Sequence, residues 1–216
     1  MRYRALVPVK SLASAKSRMA DHLTLHQRAT LVLDMLCHVL QMLHESEMLE
    51  QISVVSPDLR VLELAQRWGA QPLVEEMPGH NAALHMAALH EQASGITALL
   101  TIAADVPLLH SQDIRNMIEQ STRYDAVFAP SRDGTGTNAI LLRPPLALPY
   151  LFGVNSLSRY QQAAQQQHLR SGLYHSIGLG LDIDTIDDLD DLYELQVLSG
   201  LGDQKGTPLL WSLSPG

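Results

Sequence analysis

The sequence has a single cysteine, Cys37, among 216 residues. No disulfide can therefore form within one chain, which fits a reducing compartment. Cys37 lies in the apolar stretch 29–43, and we expect a small buried side chain there rather than a nucleophile. The sequence also lacks any run of about 18 uninterrupted apolar residues, and residues 1–10 lack the features of a signal peptide. These absences predict a cytoplasmic protein without a membrane partner.

Positive charge is scarce as well. Lysine and arginine number 15 against 23 aspartates and glutamates, and the net charge is -8. A surface with this balance repels phosphodiester backbones at long range, so no nucleic-acid partner is expected. Nucleotides remain compatible with it, because a metal ion and a few lysines can reverse the sign of the charge inside one pocket.

What the sequence does have is the composition and pattern of one α/β domain. Apolar residues make up 46% of the chain, and short β-like apolar runs alternate with longer helical ones. This pattern predicts a mostly parallel, three-layer sheet with helices on both faces. A single domain is predicted over residues 1–198, followed by a loosely held tail at 199–216.

The predicted elements follow from the same periodicity. The run 97–103 is apolar on both faces, so we expect it to be a central strand. The runs 125–130 and 139–143 lie too close together for a crossover helix, which predicts an antiparallel strand pair. The other strands are predicted at 4–9, 51–56, 71–75 and 174–177, and the helices at 25–43, 59–68, 82–92, 112–120, 157–167 and 187–198.

Basic residues follow the first predicted strand. In an open parallel sheet, ligands bind at the carboxyl ends of the strands, so the loops that follow strands carry the informative chemistry. Lys10, Lys16 and Arg18 lie within nine residues of one another, and small residues between them let the backbone approach a phosphate. The segment is not a P-loop, since the Gly-x-x-x-x-Gly-Lys pattern is missing. A solvated basic loop is the alternative.

Acidic residues follow two other segments. Asp105 follows the predicted central strand and is well placed to hold a divalent cation, although aspartate is also common in turns. Asp182 and Asp184 flank Ile183, so an extended backbone puts both carboxylates on one face. Two such carboxylates repel each other unless a cation lies between them, and magnesium suits carboxylate and phosphate oxygens.

The same acidic segment also has the pattern of a helix start. Thr185 and Asp188 resemble a capping box, and acids near a helix start interact well with its dipole. Both interpretations can hold together: Thr185 and the later aspartates would start the helix, while Asp182 and Asp184 point into the cleft.

A glycine-rich segment at 133–138 has the look of a dinucleotide-binding loop. We reject that interpretation, because the residues that follow it are predicted to form a strand rather than the required helix. A tight turn with hydroxyl and amide donors still makes a good anion site. Ser156 is expected to be the N-cap of the next helix, whose terminus could hold a second anion.

Histidines recur at two spacings, His22 with His26, and His80, His85 and His90. The five-residue spacing does not keep side chains on one helical face, and no cysteine or acidic partner completes a zinc set. We therefore expect surface histidines.

Five of these segments together resemble the 2-phospho-L-lactate guanylyltransferase family, which makes the GMP-activated precursor of the deazaflavin coenzyme F-420. The resemblance covers residues 3–190, and the segments appear in the family's order. Each segment is weak alone, whereas five in order are specific. They are 7–10 with 15–18, 104–109, 133–139, 152–153 with Ser156, and 182–185.

The resemblance implies a nucleotide-diphospho-sugar-transferase-like α/β fold and a guanylyltransferase that uses GTP. Its acceptor would be a three-carbon phospho-acid, either 2-phospho-L-lactate, phosphoenolpyruvate or 3-phosphoglycerate. Magnesium would be held by Asp105, Asp182 and Asp184, and the acceptor by Thr137, Asn138, Gly153 and Ser156. The nucleotide would contact Pro8, Lys10, Lys16, Gly79 and Asn81, with residues 78–83 forming part of the base pocket. The catalytic residues implied are Lys10, Lys16 and Asp105.

The chain departs from the family pattern in the loop after Phe152. The family usually has Phe-Gly-Pro-Gly-Ser there, whereas Val154 and Asn155 replace the middle pair in this chain. The acceptor is therefore left open, as is the oligomeric state, a homodimer included. The alternatives are a nucleotidyltransferase of the same fold that acts on a sugar phosphate, a non-catalytic nucleotide-binding relative, and a dehydrogenase that uses the glycine loop.

Overall fold

The computed structural model describes residues 1–199, and the predicted tail from residue 200 onwards lies outside this range. Two short 3-10 turns, Leu12–Ser14 and Ser17–Met19, follow the first strand. The strands are β1 (Tyr3–Pro8), β2 (Gln51–Ser56), β3 (Gln71–Val74), β4 (Ala98–Ile102), β5 (Ala126–Pro130), β6 (Thr137–Leu142) and β7 (Ser171–Leu173). The helices are α1 (Leu25–Glu45), α2 (Leu59–Arg67), α3 (His80–Ala93), α4 (Ser111–Gln120), α5 (Ser156–Gln166), α6 (Ile177–Gly180) and α7 (Ile186–Ser199).

The seven strands form one sheet in the order β3-β2-β1-β4-β6-β5-β7. Only β6 runs antiparallel to its neighbours, β4 and β5, and the other pairs in the described sheet are parallel. β4 lies in the middle of the order, and all five of its residues are buried. The predicted central strand and the predicted antiparallel pair are therefore confirmed.

Helices cover both faces of the sheet, so the predicted three-layer arrangement is confirmed. On one face, side chains of α1, α2 and α4 such as Leu36, Val61 and Ile114 share a core with the sheet. On the other face, Leu84 of α3 and Tyr160 of α5 pack in a second core. Because both faces are covered, the interior strands must be apolar along their whole length rather than alternating.

A buried ion pair fixes α3 against the sheet. Glu91 of α3 is fully buried, and it accepts hydrogen bonds from Ser53 Oγ of β2 at 2.5 Å and from an Arg4 amino group of β1 at 2.8 Å. Partners on two strands satisfy the buried carboxylate, as a buried charge requires. The contact holds the helix that begins at His80 in place over β1 and β2.

Two local predictions are wrong. The strand predicted at 174–177 is instead β7 at Ser171–Leu173, and Ile177 starts the short helix α6 with 71% of its surface exposed. The reason is the Ser176 hydroxyl, which accepts a hydrogen bond from the Leu179 amide and starts a helical turn. Cys37 is half-buried rather than buried.

Among residues 1–199, no helix is both long enough and apolar enough to cross a bilayer.

Candidate active site

A cavity of about 900 Å³ opens at the carboxyl ends of β1 and β4. The antiparallel direction of β6 brings its amino end to the same edge. Ile102 pairs with Ala139, and the Ala103 amide donates a hydrogen bond of 2.8 Å to the Asn138 carbonyl. Five distant segments thus meet at one edge of the sheet. The predicted site residues that line the cavity are Pro8, Lys10, Lys16, Asp105, Thr137, Asn138, Gly153, Ser156, Asp182 and Asp184.

Lys16 lies between two of the acidic residues. Its ammonium donates hydrogen bonds to Asp105 Oδ2 and, at 2.9 Å, to Asp184 Oδ1. The residue has a left-handed backbone with φ of 48° between the two 3-10 turns, and only 7% of its side-chain surface is exposed. Burial acts to lower the pKa of Lys16, but the charges of Asp105 and Asp184 outweigh that effect and raise it. The buried ammonium therefore stays charged at neutral pH.

The two acids of the segment 182–184 have different partners. Asp182 Oδ1 accepts a hydrogen bond from Asn138 Nδ2 at 3.0 Å, and burial, with the charge of Asp105 added to it, raises the pKa of Asp182. Burial acts to raise the pKa of Asp184 too, yet the Lys16 ammonium holds it below its usual value. Between them Ile183 is fully buried, which confirms the predicted alternation.

The same segment also starts a helix, as predicted. Asp188 Oδ2 accepts hydrogen bonds from the Thr185 amide at 2.7 Å and from the Thr185 hydroxyl at 2.8 Å. The Ile183 amide donates to the Asp105 carbonyl at 3.1 Å, which joins the two acidic segments through the backbone. The two interpretations of the sequence therefore hold together: Asp182 and Asp184 line the cavity, while Thr185 and Asp188 begin α7.

The three acids do not form a ready metal cage. Within residues 1–199, no group of three or more His, Cys, Asp or Glu side chains is arranged to hold a metal ion. A cation, the Lys16 ammonium, lies instead between Asp105 and Asp184. The donors are all carboxylate oxygens, which is the ligand type that magnesium prefers, and the position between them suits a cation. The residues thus fit magnesium in their chemistry, and its binding stays a prediction.

The predicted acceptor residues come together around a pair of hydroxyls. Ser156 Oγ donates to Thr137 Oγ1 at 3.1 Å, and both residues are buried. The N-cap prediction for Ser156 is wrong, because α5 begins at Ser156 and the left-handed Asn155 holds the cap position. The Ser156 hydroxyl is directed towards Thr137 instead. Gly153 has φ of 119°, a conformation that favours glycine.

The glycine turn directs several of its donors to its own aspartate. Asp133 accepts hydrogen bonds from the Ser131 hydroxyl at 2.6 Å, from the Thr135 hydroxyl at 2.7 Å and from the Thr135 amide at 3.0 Å. The hydrogen bonds from Ser131 and Thr135 lower the pKa of Asp133 to about 2. The turn's own aspartate therefore occupies these donors, and the anion site expected at 133–138 stays a prediction. The turn leads into β6 rather than a helix, which confirms that it is not a dinucleotide fingerprint.

A second cavity of about 230 Å³ adjoins the first, and the walls of both include Lys10 and His80. Its further walls include Glu75, which the sequence analysis missed. The signal was present, because Glu75 is the last residue of a predicted strand and Asp105 comes just after another. His80 is half-buried, so the surface prediction is wrong for this histidine, and burial, with the charge of Lys10, lowers its pKa. The predicted surface position is confirmed for His22, His26, His85 and His90.

Two predicted nucleotide contacts, Gly79 and Asn81, lie on the walls of neither cavity. Asn81 instead exchanges two hydrogen bonds of 3.0 Å with the backbone of Phe152. The start of α3 and the loop before α5 are thereby joined, and the His80 and Phe152 rings meet edge to face with their centroids 5.7 Å apart. Asn81 positions the wall of the larger cavity, and its contact with a nucleotide stays a prediction.

A family model described as "Guanylyl transferase CofC like" matches residues 3–204. The chain belongs to this family of guanylyl transferases. A phosphoenolpyruvate guanylyltransferase from Sphaerobacter thermophilus is 36% identical over 203 residues, which cover 94% of this chain and 98% of that protein. Another from Rubrobacter xylanophilus is 40% identical over 186 residues, covering 86% of this chain and 90% of that protein.

Solved structures of a sugar-transferase type and of a cytidylyltransferase type share the fold. A putative nucleotide-diphospho-sugar transferase from Desulfovibrio desulfuricans G20 matches with a TM-score of 0.81 at 17% identity, over 97% of this chain and 94% of that chain. A cytidylyltransferase from Leptospira borgpetersenii matches with a TM-score of 0.62 at 13% identity, over 99% and 98% of the two chains. At these identities the likeness shows the fold alone, and it confirms the predicted nucleotide-diphospho-sugar-transferase-like architecture.

Proposed function

We propose that the protein transfers GMP from GTP to a three-carbon phospho-acid with release of pyrophosphate, and that phosphoenolpyruvate is the first acceptor to test. Membership of the guanylyl transferase family and the names of its relatives support this activity. The observation that carries the proposal is a single cavity in which the cationic loop faces both an acidic segment and a pair of hydroxyls. A reaction between two anions needs such a mixture of charges.

The proposed reaction is an in-line displacement. An oxygen of the acceptor's phosphate attacks the α-phosphorus of GTP, the bond from that phosphorus to the bridging oxygen breaks, and pyrophosphate leaves with the electron pair. No general base is needed, because the nucleophile is already an anion. The protein's contribution is to hold two anions in line and to offset the charge that develops on the leaving group.

The lysines supply the positive charge for this step. Lys10 is exposed and lies where the two cavities meet, so it is placed to contact the nucleotide between its base and its phosphates. Lys16 is buried and bonded to carboxylates, and its flexible stem lets the ammonium follow phosphate oxygens as charge moves onto pyrophosphate.

Magnesium is the proposed cofactor. Asp105, Asp182 and Asp184 would hold it, and when bound it would supply charge neutralisation at the phosphate oxygens. The hydrogen bond from Asn138 to Asp182 orients one of these carboxylates, as outer hydrogen bonds commonly do for metal ligands.

The hydroxyls of Thr137 and Ser156 are the proposed contacts of the acceptor. Thr137 begins β6 and Ser156 begins α5, and both residues are buried. The loop before α5 adds Gly153 and Val154 to the cavity wall, and Val154 has 85% of its surface exposed. A hydroxyl can donate to the phosphate or the carboxylate of a phospho-acid, and a hydrogen bond to a charged group is among the stronger kinds. The product would be the GMP-activated precursor used in coenzyme F-420 biosynthesis.

The test is an acceptor and nucleotide panel. The protein is incubated with magnesium, GTP and either phosphoenolpyruvate, 2-phospho-L-lactate or 3-phosphoglycerate, and the GMP conjugate is sought by mass spectrometry. Parallel reactions contain CTP, UTP or ATP, or a sugar phosphate as acceptor. We expect a conjugate from GTP and at least one phospho-acid. A conjugate that forms only with a sugar phosphate, or no pyrophosphate release with any pair, would contradict the proposal.

A further inference from the structure

The smaller cavity combines apolar walls with polar side chains. Its volume is about 230 Å³, a quarter of that of its neighbour, and its apolar walls include Val9, Val55, Pro57 and Ala83. Apolar walls with a few placed polar groups are typical of sites that bind small molecules and cofactors. Because Lys10 lies on the walls of both cavities, a nucleotide whose phosphates occupy the larger cavity would place its base in the smaller one.

Glu75 is the only acidic residue on the wall of this smaller cavity among the described residues. Its amide donates to the Ser56 carbonyl at 3.1 Å, which holds it in register just after β3. The residue is half-buried, and its carboxylate makes no hydrogen bond or ion pair with another side chain or backbone group of residues 1–199. The acids of the larger cavity differ, since Asp105, Asp182 and Asp184 each accept a hydrogen bond.

A carboxylate without a partner in the protein keeps both oxygens available to accept hydrogen bonds from a ligand. It therefore favours a ligand that brings hydrogen-bond donors. Guanine carries two neighbouring donors on one edge, the N1–H group and the exocyclic N2 amino group, and two parallel donors match the two oxygens of a carboxylate. Adenine has an acceptor at N1 and no amino group at C2, so the same carboxylate would disfavour it.

We propose that Glu75 is the residue that selects guanine, by accepting hydrogen bonds from N1–H and the N2 amino group. The inference rests on the proposed use of a nucleoside triphosphate in the larger cavity, and it adds the residue that distinguishes GTP from the other nucleotides. Glu75 acts on the base alone and takes no part in the transfer of the phosphorus.

Inosine triphosphate provides the sharpest probe, because it differs from GTP only in lacking the N2 amino group. The kcat/KM of the wild-type protein should be about 10- to 100-fold higher for GTP than for inosine triphosphate, the range expected for a hydrogen bond to a charged group. Glu75→Ala should bring this ratio close to one, and Glu75→Gln, which keeps one acceptor oxygen, should lower it less. Glu76→Ala is the matched control, since Glu76 is exposed and lies on neither cavity wall, and it should keep the wild-type ratio.

The outcomes separate this inference from the proposed function. Wild-type activity with GTP together with an unchanged ratio in Glu75→Ala overturns the role of Glu75 and leaves the transferase activity standing. No transfer from GTP by the wild-type protein overturns the proposed function itself. If a variant is too slow for kinetics, calorimetric dissociation constants for GTP and inosine triphosphate give the same ratio. If Glu75→Ala does not fold, as shown by the loss of cooperative unfolding, Glu75→Gln takes its place. An unchanged ratio of kcat/KM for the two nucleotides in Glu75→Gln also overturns the inference.

Discussion

The Lys16 ammonium donates a hydrogen bond to the Asp105 carboxylate, although 89 positions separate the two residues along the chain. Lys16 belongs to the loop after β1 and Asp105 to the loop after β4, and these strands are neighbours in the sheet. A second hydrogen bond, to Asp184, adds the segment before α7 to the same contact. The loop expected to bind phosphate and the acids expected to bind magnesium therefore form one charged cluster, and a ligand that binds one part must affect the other.

The two lysines should be separable by kinetics. Lys16→Met should lower kcat by about 10- to 100-fold, because the charge that offsets the departing pyrophosphate is lost. Lys10→Met should mainly raise KM for GTP, because this exposed lysine would contact the nucleotide equally in the ground and transition states. Steady-state kinetics against GTP measures both effects. Arg123→Met is the control, because Arg123 is an exposed cation that lies on neither cavity wall. Wild-type constants in both lysine variants would mean that the loop is only a solvated basic segment.

The acidic cluster should control the response to metal. Asp105→Asn, Asp182→Asn and Asp184→Asn should each lower activity by at least about 10-fold, because each removes a charge that would bind magnesium while keeping the shape of the side chain. Binding of manganese in the presence of GTP, followed by electron paramagnetic resonance, should weaken in the same variants.

Asp187→Asn is the control for this series, because Asp187 is an exposed acid that lies three positions beyond Asp184 and on neither cavity wall. It should bind manganese as the wild-type protein does. Unchanged manganese affinity in all three test variants would show that the metal binds elsewhere.

The hydroxyl pair should affect the acceptor more than the nucleotide. Thr137→Val and Ser156→Ala should each weaken acceptor binding by about 1–3 kcal/mol, the loss expected for a hydrogen bond to a charged group. Isothermal calorimetry with each substrate separates the two affinities. Ser158→Ala, two positions along the same helix with its hydroxyl on the Asn155 carbonyl, should change neither. Equal losses for GTP and the acceptor would place these hydroxyls outside the acceptor site.

His38 should make stability depend on pH. Its Nε2 lies 2.9 Å from the Leu109 carbonyl oxygen, and burial lowers the pKa of His38 below its usual 6.5 despite that hydrogen bond and the nearby Glu45, with His110 lowering it further. The unfolded chain therefore takes up this proton more readily than the folded one. The contribution of His38 is complete above pH 6.5 and is lost as the pH falls towards the lowered folded value.

Urea unfolding at pH 7.5 and at pH 5.5 measures this effect, because the two pH values lie on either side of the usual histidine pKa of about 6.5. The free energy of unfolding of the wild-type protein should fall between the two conditions, and by less in His38→Gln. His22→Gln, at an exposed histidine, should keep the wild-type difference. A His38→Gln variant with the full pH dependence would remove His38 from the account.

The parts of the site that the sequence could predict are those set by local rules. Asp105 follows a strand that is apolar on both faces, so its place at the edge of the sheet follows from the strand itself. Asp182 and Asp184 alternate around the buried Ile183, and period-two geometry puts them on one face. Both predictions needed only neighbouring residues.

The parts that escaped prediction depend on contacts between distant segments. The left-handed backbone at Lys16 directs its ammonium to two acids, and nothing in the surrounding sequence specifies that conformation. The local sequence predicts that Ser156 caps a helix, whereas its hydroxyl bonds to Thr137 of β6, 19 positions away. Asn81 likewise gains its role from the Phe152 backbone, 71 positions away.

The account's central claim is that the acceptor's phosphate attacks the α-phosphorus of GTP. It is tested most directly with phosphoenolpyruvate whose phosphate oxygens are labelled with oxygen-18, incubated with unlabelled GTP, magnesium and the protein, and followed by mass spectrometry. The predicted result is a GMP conjugate that retains all of the label together with unlabelled pyrophosphate. Label in the pyrophosphate, or GMP released without a conjugate, would contradict the claim.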